Sequence, residues 1–302
     1  MAVIGTGNHP KALWPGVRAW FGRSYDEYQP QYPDLVDVET SDKAYEEEVE
    51  STGFGMAVVK PAGNSISYDS DSQGYTARYT HVTYGLGYMV TEEELEDNLY
   101  MEVSSRRATD LAFGLRQTKE NVVALVYIRS FTSTYAGGDG KELCATDHPT
   151  IYGNQSNELT NPADLSEAAI EDMIIQIRQA KNARGMKIRL QPKSLHIPVN
   201  LEFEANRILK SVLQNDTANN AVNVLKMTNA IPGGIKSNQY FTSDSAWWIR
   251  TNAPRGLRMF QRRPVKFARD EDFDTSNAKA KATERYSVGW SEWRAIYGTP
   301  GV

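Results

Sequence analysis

The order of elements in this 302-residue chain predicts an α+β fold, and three observations carry the prediction. Helix and strand signals do not alternate regularly, which excludes a doubly wound sheet. From Gly74 to Val90 there is no proline, and Val82, Tyr84, Leu86, Tyr88 and Val90 share one face at period two, opposite Gly85 and Gly87. Directly afterwards Leu95, Leu99, Val103, Leu111, Leu115, Val122 and Val126 form a stripe spaced by fours and sevens. Thr91 with Glu94 reads as a capping box at its start, and Glu92 and Glu93 suit the positive end of the helix dipole. A helix from there to Phe131 would be roughly 60 Å long at about 1.5 Å per residue. An element of that length serves as the backbone of a subunit, which points to architecture before catalysis.

Ahead of the ribbon, residues 1 to about 50 read as an extended arm. Pro10, Pro15, Pro30 and Pro33 interrupt it, while Trp14, Trp20, Phe21, Tyr25, Tyr28 and Tyr32 load it with aromatic surface. Such an arm lies across another surface, its own or a neighbour's, unless Val17 to Tyr28 forms a short helix on the parent core. Asp34 to Glu50 is acidic and reads as a short solvated helix. Phe54 to Lys60 reads as a first strand, Pro61 to Ser65 as a turn and Tyr68 to Gln73 as a mobile polar stretch. With the ribbon from Gly74 they make a long hairpin, which needs support because a lone hairpin is marginal in water.

Beyond the long helix, Thr134 to Asn161 reads as loop and hairpin. Asp164 with Glu167 caps an amphipathic helix carrying Ile170, Met173, Ile174 and Ile177, with Gly185 at its end. Met186 to Leu190 and Ser194 to Val199 read as strands separated by Pro192. Asn200 caps a helix through Leu201, Ala205, Ile208, Leu209 and Val212, and Val222 to Met227 reads as a strand. Residues 237 to 297 are mostly extended, and no internal repeat is visible.

Composition narrows the function classes. Hydrophobic residues make up 40% of the chain and charged residues 24%, as in ordinary globular proteins. Apolar runs are too short for a membrane span, and the N-terminus has no secretory signal pattern. The single cysteine, Cys144, excludes internal disulfides and fits a reducing compartment of synthesis. A net charge of −5 argues against a dedicated nucleic-acid binder but leaves room for a local basic face.

Chemical motifs are sparse. Asp69-Ser-Asp71-Ser-Gln73-Gly74 resembles the start of a calcium loop, but Thr80 stands where the bidentate Glu belongs, so a polar loop tip is the better reading. Cys144 and His148 offer two metal ligands without a second pair, since His9, His81 and His196 are isolated. A Cys–His catalytic pair needs only to meet in space, yet the Leu-Cys-Ala setting favours a structural thiol on a small strand. Gly5-Thr-Gly7 lacks the flanking strand and helix of a dinucleotide site. Neither a Walker, a Gly-x-Ser-x-Gly nor a His-Glu-x-x-His motif occurs. No catalytic residue, cofactor or metal is therefore expected. Arg250, Arg255, Arg258, Arg262, Arg263, Lys266 and Arg269 form a late basic strip, and Asp270-Glu-Asp272-Phe-Asp follows it. The strip has three readings: a face towards nucleic acid, pairing of basic and acidic strips between subunits, or charged strand edges.

Taken together, arm, two-stranded loop, long helix, α/β lobe and late β return resemble the major capsid proteins of tailed bacteriophages. Two stretches support the likeness. Cys144-Ala-Thr-Asp-His148-Pro149, followed by Tyr152-Gly-Asn-Gln-Ser-Asn157, is similar to a hairpin after the long helix of many phage head proteins. Leu190-Gln-Pro-Lys-Ser-Leu-His-Ile-Pro198, followed by helix and strand, is similar to the axial lobe of such proteins, Mu-like ones included.

The resemblance implies the Hong Kong 97-type fold, divided as N-terminal arm (1–51), extended loop (52–90), peripheral domain with spine helix (91–131), axial domain (132–247) and a return to the peripheral domain (248–302). It implies assembly into hexamers and pentamers of an icosahedral head around double-stranded DNA, held by non-specific contacts. A separate scaffolding protein, a portal and a decoration protein would be its partners, with no membrane involved. It would reside in the virion after assembly in the bacterial cytoplasm. Contact candidates between subunits are Trp14, Trp20, Tyr25, Tyr28, Lys60, Tyr79, Tyr84, Arg262, Arg263, Asp270 and Asp272. Some relatives cross-link a loop lysine to an asparagine. Here nothing identifies a partner for Lys60, so no ladder of linked chains is expected. Deleting residues 1 to 33 should block assembly more than folding. An encapsulin-type compartment shell and a soluble enzyme with an unmarked site are the alternatives.

Overall fold

The computed structural model describes residues 29–91, 100–214, 221–271 and 277–302, with the side chains of 100–105 and 271 left aside. Trp14, Trp20, Tyr25, Tyr28, Glu94 of the capping box and Asp272 therefore lie outside the described residues. In chain order the elements are α1 (Tyr32–Leu35), β1 (Asp37–Thr40), β2 (Tyr45–Ser51), β3 (Gln73–Thr80), β4 (Val82–Val90), α2 (Tyr100–Ile128), α3 (Glu167–Arg178) and β5 (Pro192–Pro198). There follow α4 (Glu202–Lys210), α5 (Val224–Met227), β6 (Ile235–Asn238), β7 (Trp247–Thr251), β8 (Leu257–Glu271), β9 (Ala278–Trp290) and β10 (Ile296–Thr299).

The first sheet has the order β1-β8-β9-β4. β8 and β9 form its long antiparallel hairpin, β4 runs antiparallel to β9 with Val82 opposite Tyr286, and β1 runs parallel to β8. On one face of β9 stand Ala278, Ala280 and Ala282, and Ala108, Leu111, Ala112 and Leu115 of α2 pack against them. Small side chains on both elements let helix and sheet approach closely. Farther along, Val123, Ala124 and Tyr127 pack with Leu35, Val36, Trp248, Leu257, Met259 and Tyr286. The buried stripe of α2 thus runs through its alanines. Of the residues expected there, Leu111 and Leu115 are buried, whereas Val122 and Val126 are only partly covered. The 29 described residues of α2 span about 44 Å.

The second sheet, β10-β7-β5-β6, carries α3 on one face. Ile170, Met173, Ile174 and Ile177 are buried there with Leu195, Ile197, Trp247 and Ile249, as their spacing requires. The cap of α3 is Ser166, whose Oγ accepts from the Ala169 amide over 3.2 Å, and not Asp164. Asp164 instead accepts from the Val302 amide. Gly185 does not end the helix; it occupies a later turn at φ +81°.

Other expectations are corrected here. The acidic stretch Asp34–Glu50 is not a solvated helix: after α1 it forms strand β1 and then strand β2. Its partner β3 pairs Tyr45 with Thr80 and Glu48 with Ala77, and charge partners described below hold its acids in place. Phe54–Lys60 alternates like a strand but has no regular structure, and the strand that pairs with β3 is β2. The single ribbon from Gly74 is two strands in two sheets, with His81 between them. Leu143–Ala145 and Met186–Leu190 are irregular, and Val222–Met227 contains the helical turn α5, capped by Asn223. Asn200 sits in a 3-10 turn before α4 and donates to Asp244 instead of capping. Residues 30–36 are not free arm: the Gln31 amide donates to Glu120 over 3.0 Å, and Leu35 and Val36 are core.

Candidate assembly surfaces

Residues 52–72 leave the β2–β3 hairpin as an open loop closed at its base by two aspartates. Asp71 accepts from Ser51 Oγ over 2.7 Å, from the Gly53 amide over 2.8 Å and from Thr52 Oγ1. Asp69 accepts from the Gly55 amide over 2.7 Å and from Arg184 over 3.2 Å. These hydrogen bonds hold both carboxyls below the usual range, led by the Gly55 amide for Asp69 and by Ser51 for Asp71. The pair is thus a clasp, where the sequence suggested a mobile tip or half a calcium loop. Beyond it Phe54, Met56, Val58 and Val59 are 62%, 80%, 68% and 91% exposed, and Lys60, Ile66 and Tyr68 are exposed as well. A continuous apolar strap of this kind marks an interaction surface.

The foot of the hairpin is anchored on its own chain. Tyr79 is buried edge-on against Phe260 with ring centroids 4.9 Å apart, and its hydroxyl meets Ser291 Oγ at 2.5 Å. A side chain at Gly289 would meet the Tyr79 ring at 3.0 Å, so the glycine makes this seat. Tyr79 is therefore spent inside the subunit and is not a free contact residue. Next to it, Ser41 Oγ donates to Glu46 over 2.7 Å, so it accepts from His81 Nε2 at 3.2 Å. Ser287 Oγ then donates to His81 Nδ1 over 3.0 Å. Burial, with Arg285 adding to it, pushes the His81 pKa down, and the neutral ring fills the joint between β3 and β4.

The basic strip divides in two. Its proximal members answer acids of the same chain: Arg250 donates to Asp37 over 2.6 Å, Arg258 pairs with Glu48 and lies 3.5 Å from Glu39, and Arg262 lies 3.9 Å from Asp42. These three arginines thus pair within the subunit with acids of residues 37–48, and not with the acidic strip that begins at Asp270. Distally, Arg263 donates to Thr283 and remains exposed with Lys266 and Lys281. By alternation with Ala280 and Ala282, Lys281 lies on the sheet face turned away from α2. Asp270 is exposed in register with Lys279. Tyr84 is half-buried, stacked on Tyr286 at 4.7 Å, and lines a 280 Å³ groove with Val126, Arg129, Tyr135 and Trp290.

The suspected chemical residues serve structure. Cys144 is fully buried, and burial drives its thiol pKa up. His148 engages Asp139 at 2.6 Å and Asn157 at 3.0 Å, so its two ring nitrogens are occupied. Among the described residues no three His, Cys, Asp or Glu side chains gather to hold a metal. None of the described helices is long and apolar enough to cross a membrane. Motif searching missed Asn157, whose Nδ2 donates to Leu143, Trp293 and Ile296 carbonyls, and the buried Lys119–Glu284 pair. Only three-dimensional proximity reveals either.

Comparison with known proteins agrees with this architecture. No curated protein matches the chain. The fold is similar to that of a chain in the structure of Mycobacterium phage Patience (TM-score 0.56, 11% identity, 98% of this chain and 89% of that one). It is also similar to the capsid of cyanophage P-SCSP1u (0.55, 10%, 89% and 87%) and to the virus-like particle of Pyrococcus furiosus (0.51, 12%, 95% and 99%). The Hong Kong 97-type α+β fold is thereby established. A family model described as phage capsid protein matches residues 74–299, which does not favour the encapsulin alternative and points to a non-enzymatic role. Spanning most of the sequence, that match shows that the chain belongs to the phage capsid protein family and is a structural protein of the virion capsid.

Proposed function

We propose that this chain is the major subunit of a phage head, assembling as hexamers and pentamers into an icosahedral shell around double-stranded DNA. The exposed strap Phe54–Val59 carries the reading, because a lone subunit leaves that apolar surface in water. Repeated equivalent contacts between copies would cover it and close a shell. In this reading the first sheet with α2 forms the peripheral domain and the second sheet with α3 the axial domain near the symmetry axes. The return expected over 248–302 is then narrower: β7 and β10 stay with the axial sheet. The arm proper ends before Gln31, since residues from there belong to the core. A separate scaffold, a portal and a decoration protein complete the head, which forms in the bacterial cytoplasm.

Sedimentation and negative-stain microscopy of the purified full chain test the proposal. Shells or ring-shaped capsomers are expected, and a chain lacking residues 1–28 should fold but fail to assemble. A full chain that stays monomeric at every concentration would overturn the reading. Normal particles from the truncated chain would overturn the role of the arm.

A further inference from the structure

The β8–β9 hairpin carries opposite charge on its shaft and at its tip. On β9, alternation from the buried Ala278, Ala280 and Ala282 sets Lys281, Thr283 and Arg285 on the sheet face turned away from α2. On β8, Arg263 stands opposite Arg285 and Lys266 opposite Thr283. Four cations thus surround Thr283, whose hydroxyl accepts from Arg263 over 3.1 Å. Across on β4, Gly85 and Gly87 stand opposite Thr283 and Lys281 and add no side chain to this face. Among the described residues, none of the four cations forms an ion pair with an Asp or Glu, unlike Arg250, Arg258 and Arg262. Like charges directly opposite on neighbouring strands repel, so folding alone does not call for Arg263 beside Arg285. An anionic partner does.

The same hairpin holds four acids at its tip, Asp270, Glu271, Asp272 and Asp274. Asp270 and Glu271 are the last β8 residues in register with β9. Asp274 is three residues from Glu271 and three from Asn277, a reach of about 10 Å from either at about 3.3 Å per residue. Arg263 and Arg285 lie eight residues down the shaft from those two positions, roughly 25 Å away, beyond the reach of their own tip. We propose that the acidic tip Asp270–Asp274 of one copy docks on the basic face around Thr283 of a second copy. The inference rests on the assembly reading above and names two surfaces that meet in it. Tip and face differ, so the contact is heterologous: each copy offers its tip to one neighbour and its face to another. The charges set partner and register more than affinity, while the apolar strap supplies buried area. A nucleic-acid backbone is also anionic, but the acids on the same hairpin repel phosphate and equal the four cations in number.

Charge reversal in the full-length protein tests it, read by sedimentation and negative-stain microscopy. The face variant carries Lys266→Glu and Lys281→Glu, both exposed positions; the tip variant carries Asp272→Lys and Asp274→Lys; the swap carries all four. Face and tip variants should each need at least about tenfold more protein than wild type to assemble, and the swap should return to within about threefold. Circular dichroism reports folding, and if a reversal unfolds the chain, the same comparison is made with Lys266→Gln and Lys281→Gln against Asp272→Asn and Asp274→Asn. Wild type that assembles, with both variants assembling as readily, would overturn this contact and leave the assembly reading standing. Wild type that forms no particles would overturn the assembly reading and the contact with it. A face variant that fails where the tip variant succeeds, or a folded swap that stays impaired, would give the cations to another anion, such as nucleic acid, and overturn the tip as occupant.

Discussion

His148 lies flat on Trp293, with ring centroids 4.1 Å apart and planes 3° from parallel. The stack joins the segment after α2 to the last strand region, and Asn157 completes it. Asn157 Oδ1 accepts from the Ala145 amide over 2.8 Å and from His148 Nε2, while its Nδ2 serves three carbonyls. The amide orientation is fixed by these partners, so His148 donates from Nε2. One short polar side chain thereby ties three separate stretches of chain together.

Replacing Asn157 with Ala removes that knot and leaves several buried groups without partners. At about 1–3 kcal/mol for each buried group left unsatisfied, a loss of roughly 3 kcal/mol or more is expected. Urea unfolding of the unassembled subunit measures it, and a loss below about 1 kcal/mol would show that water replaces the side chain.

Arg258→Met should detach the loop hairpin before it harms the sheet. Arg258 is the charge that β2 and β1 share through Glu48 and Glu39, and its removal leaves Glu48 largely buried without its ion pair. A cost of about 2–4 kcal/mol follows, somewhat below the range for fully buried pairs. Amide hydrogen exchange should accelerate over residues 45–51 and 73–80 and stay slow in β9. Uniform acceleration across both sheets would contradict the anchoring role.

His196 makes stability depend on pH in a definite direction. Burial, with Arg250, Lys236 and Lys193 adding to it, brings its pKa down to about 3 from an ordinary 6.5. The folded chain therefore binds this proton less readily than the unfolded chain. Its contribution is whole above pH 6.5 and declines as the pH falls towards 3. Relative to His196→Gln, the wild type should lose about 1.4 kcal/mol per pH unit in that window. A difference in unfolding free energy that stays constant from pH 7 to about 4 would refute the assignment.

The fold was legible where large apolar residues repeat at one clear period. Ile170, Met173, Ile174 and Ile177 announce α3, and Tyr84, Tyr88 and Val90 announce β4. The buried stripe of α2 is hard to place from sequence because Ala108, Ala112 and Ala124 signal little as single residues, yet they pack directly against the sheet cores. Asp34–Glu50 reads as a helix in sequence because the charge that answers Glu48, on Arg258, lies some two hundred residues away. Phe54–Lys60 reads as a strand because alternation of side chains does not report whether a partner strand is present. Tyr79 shows the same limit at the level of sites: its aromatic ring suggested a contact between chains, but Gly289 and Phe260 claim it within one.

In an assembled head the strap at residues 54–59 should be covered by a neighbouring copy of the chain. A cryo-electron microscopy map of assembled particles, at a resolution that traces side chains, tests this most directly. Phe54, Met56 and Val58 should pack against an adjacent subunit in every hexamer and pentamer. Particles in which those side chains face solvent, or pack only on their own chain, would contradict it.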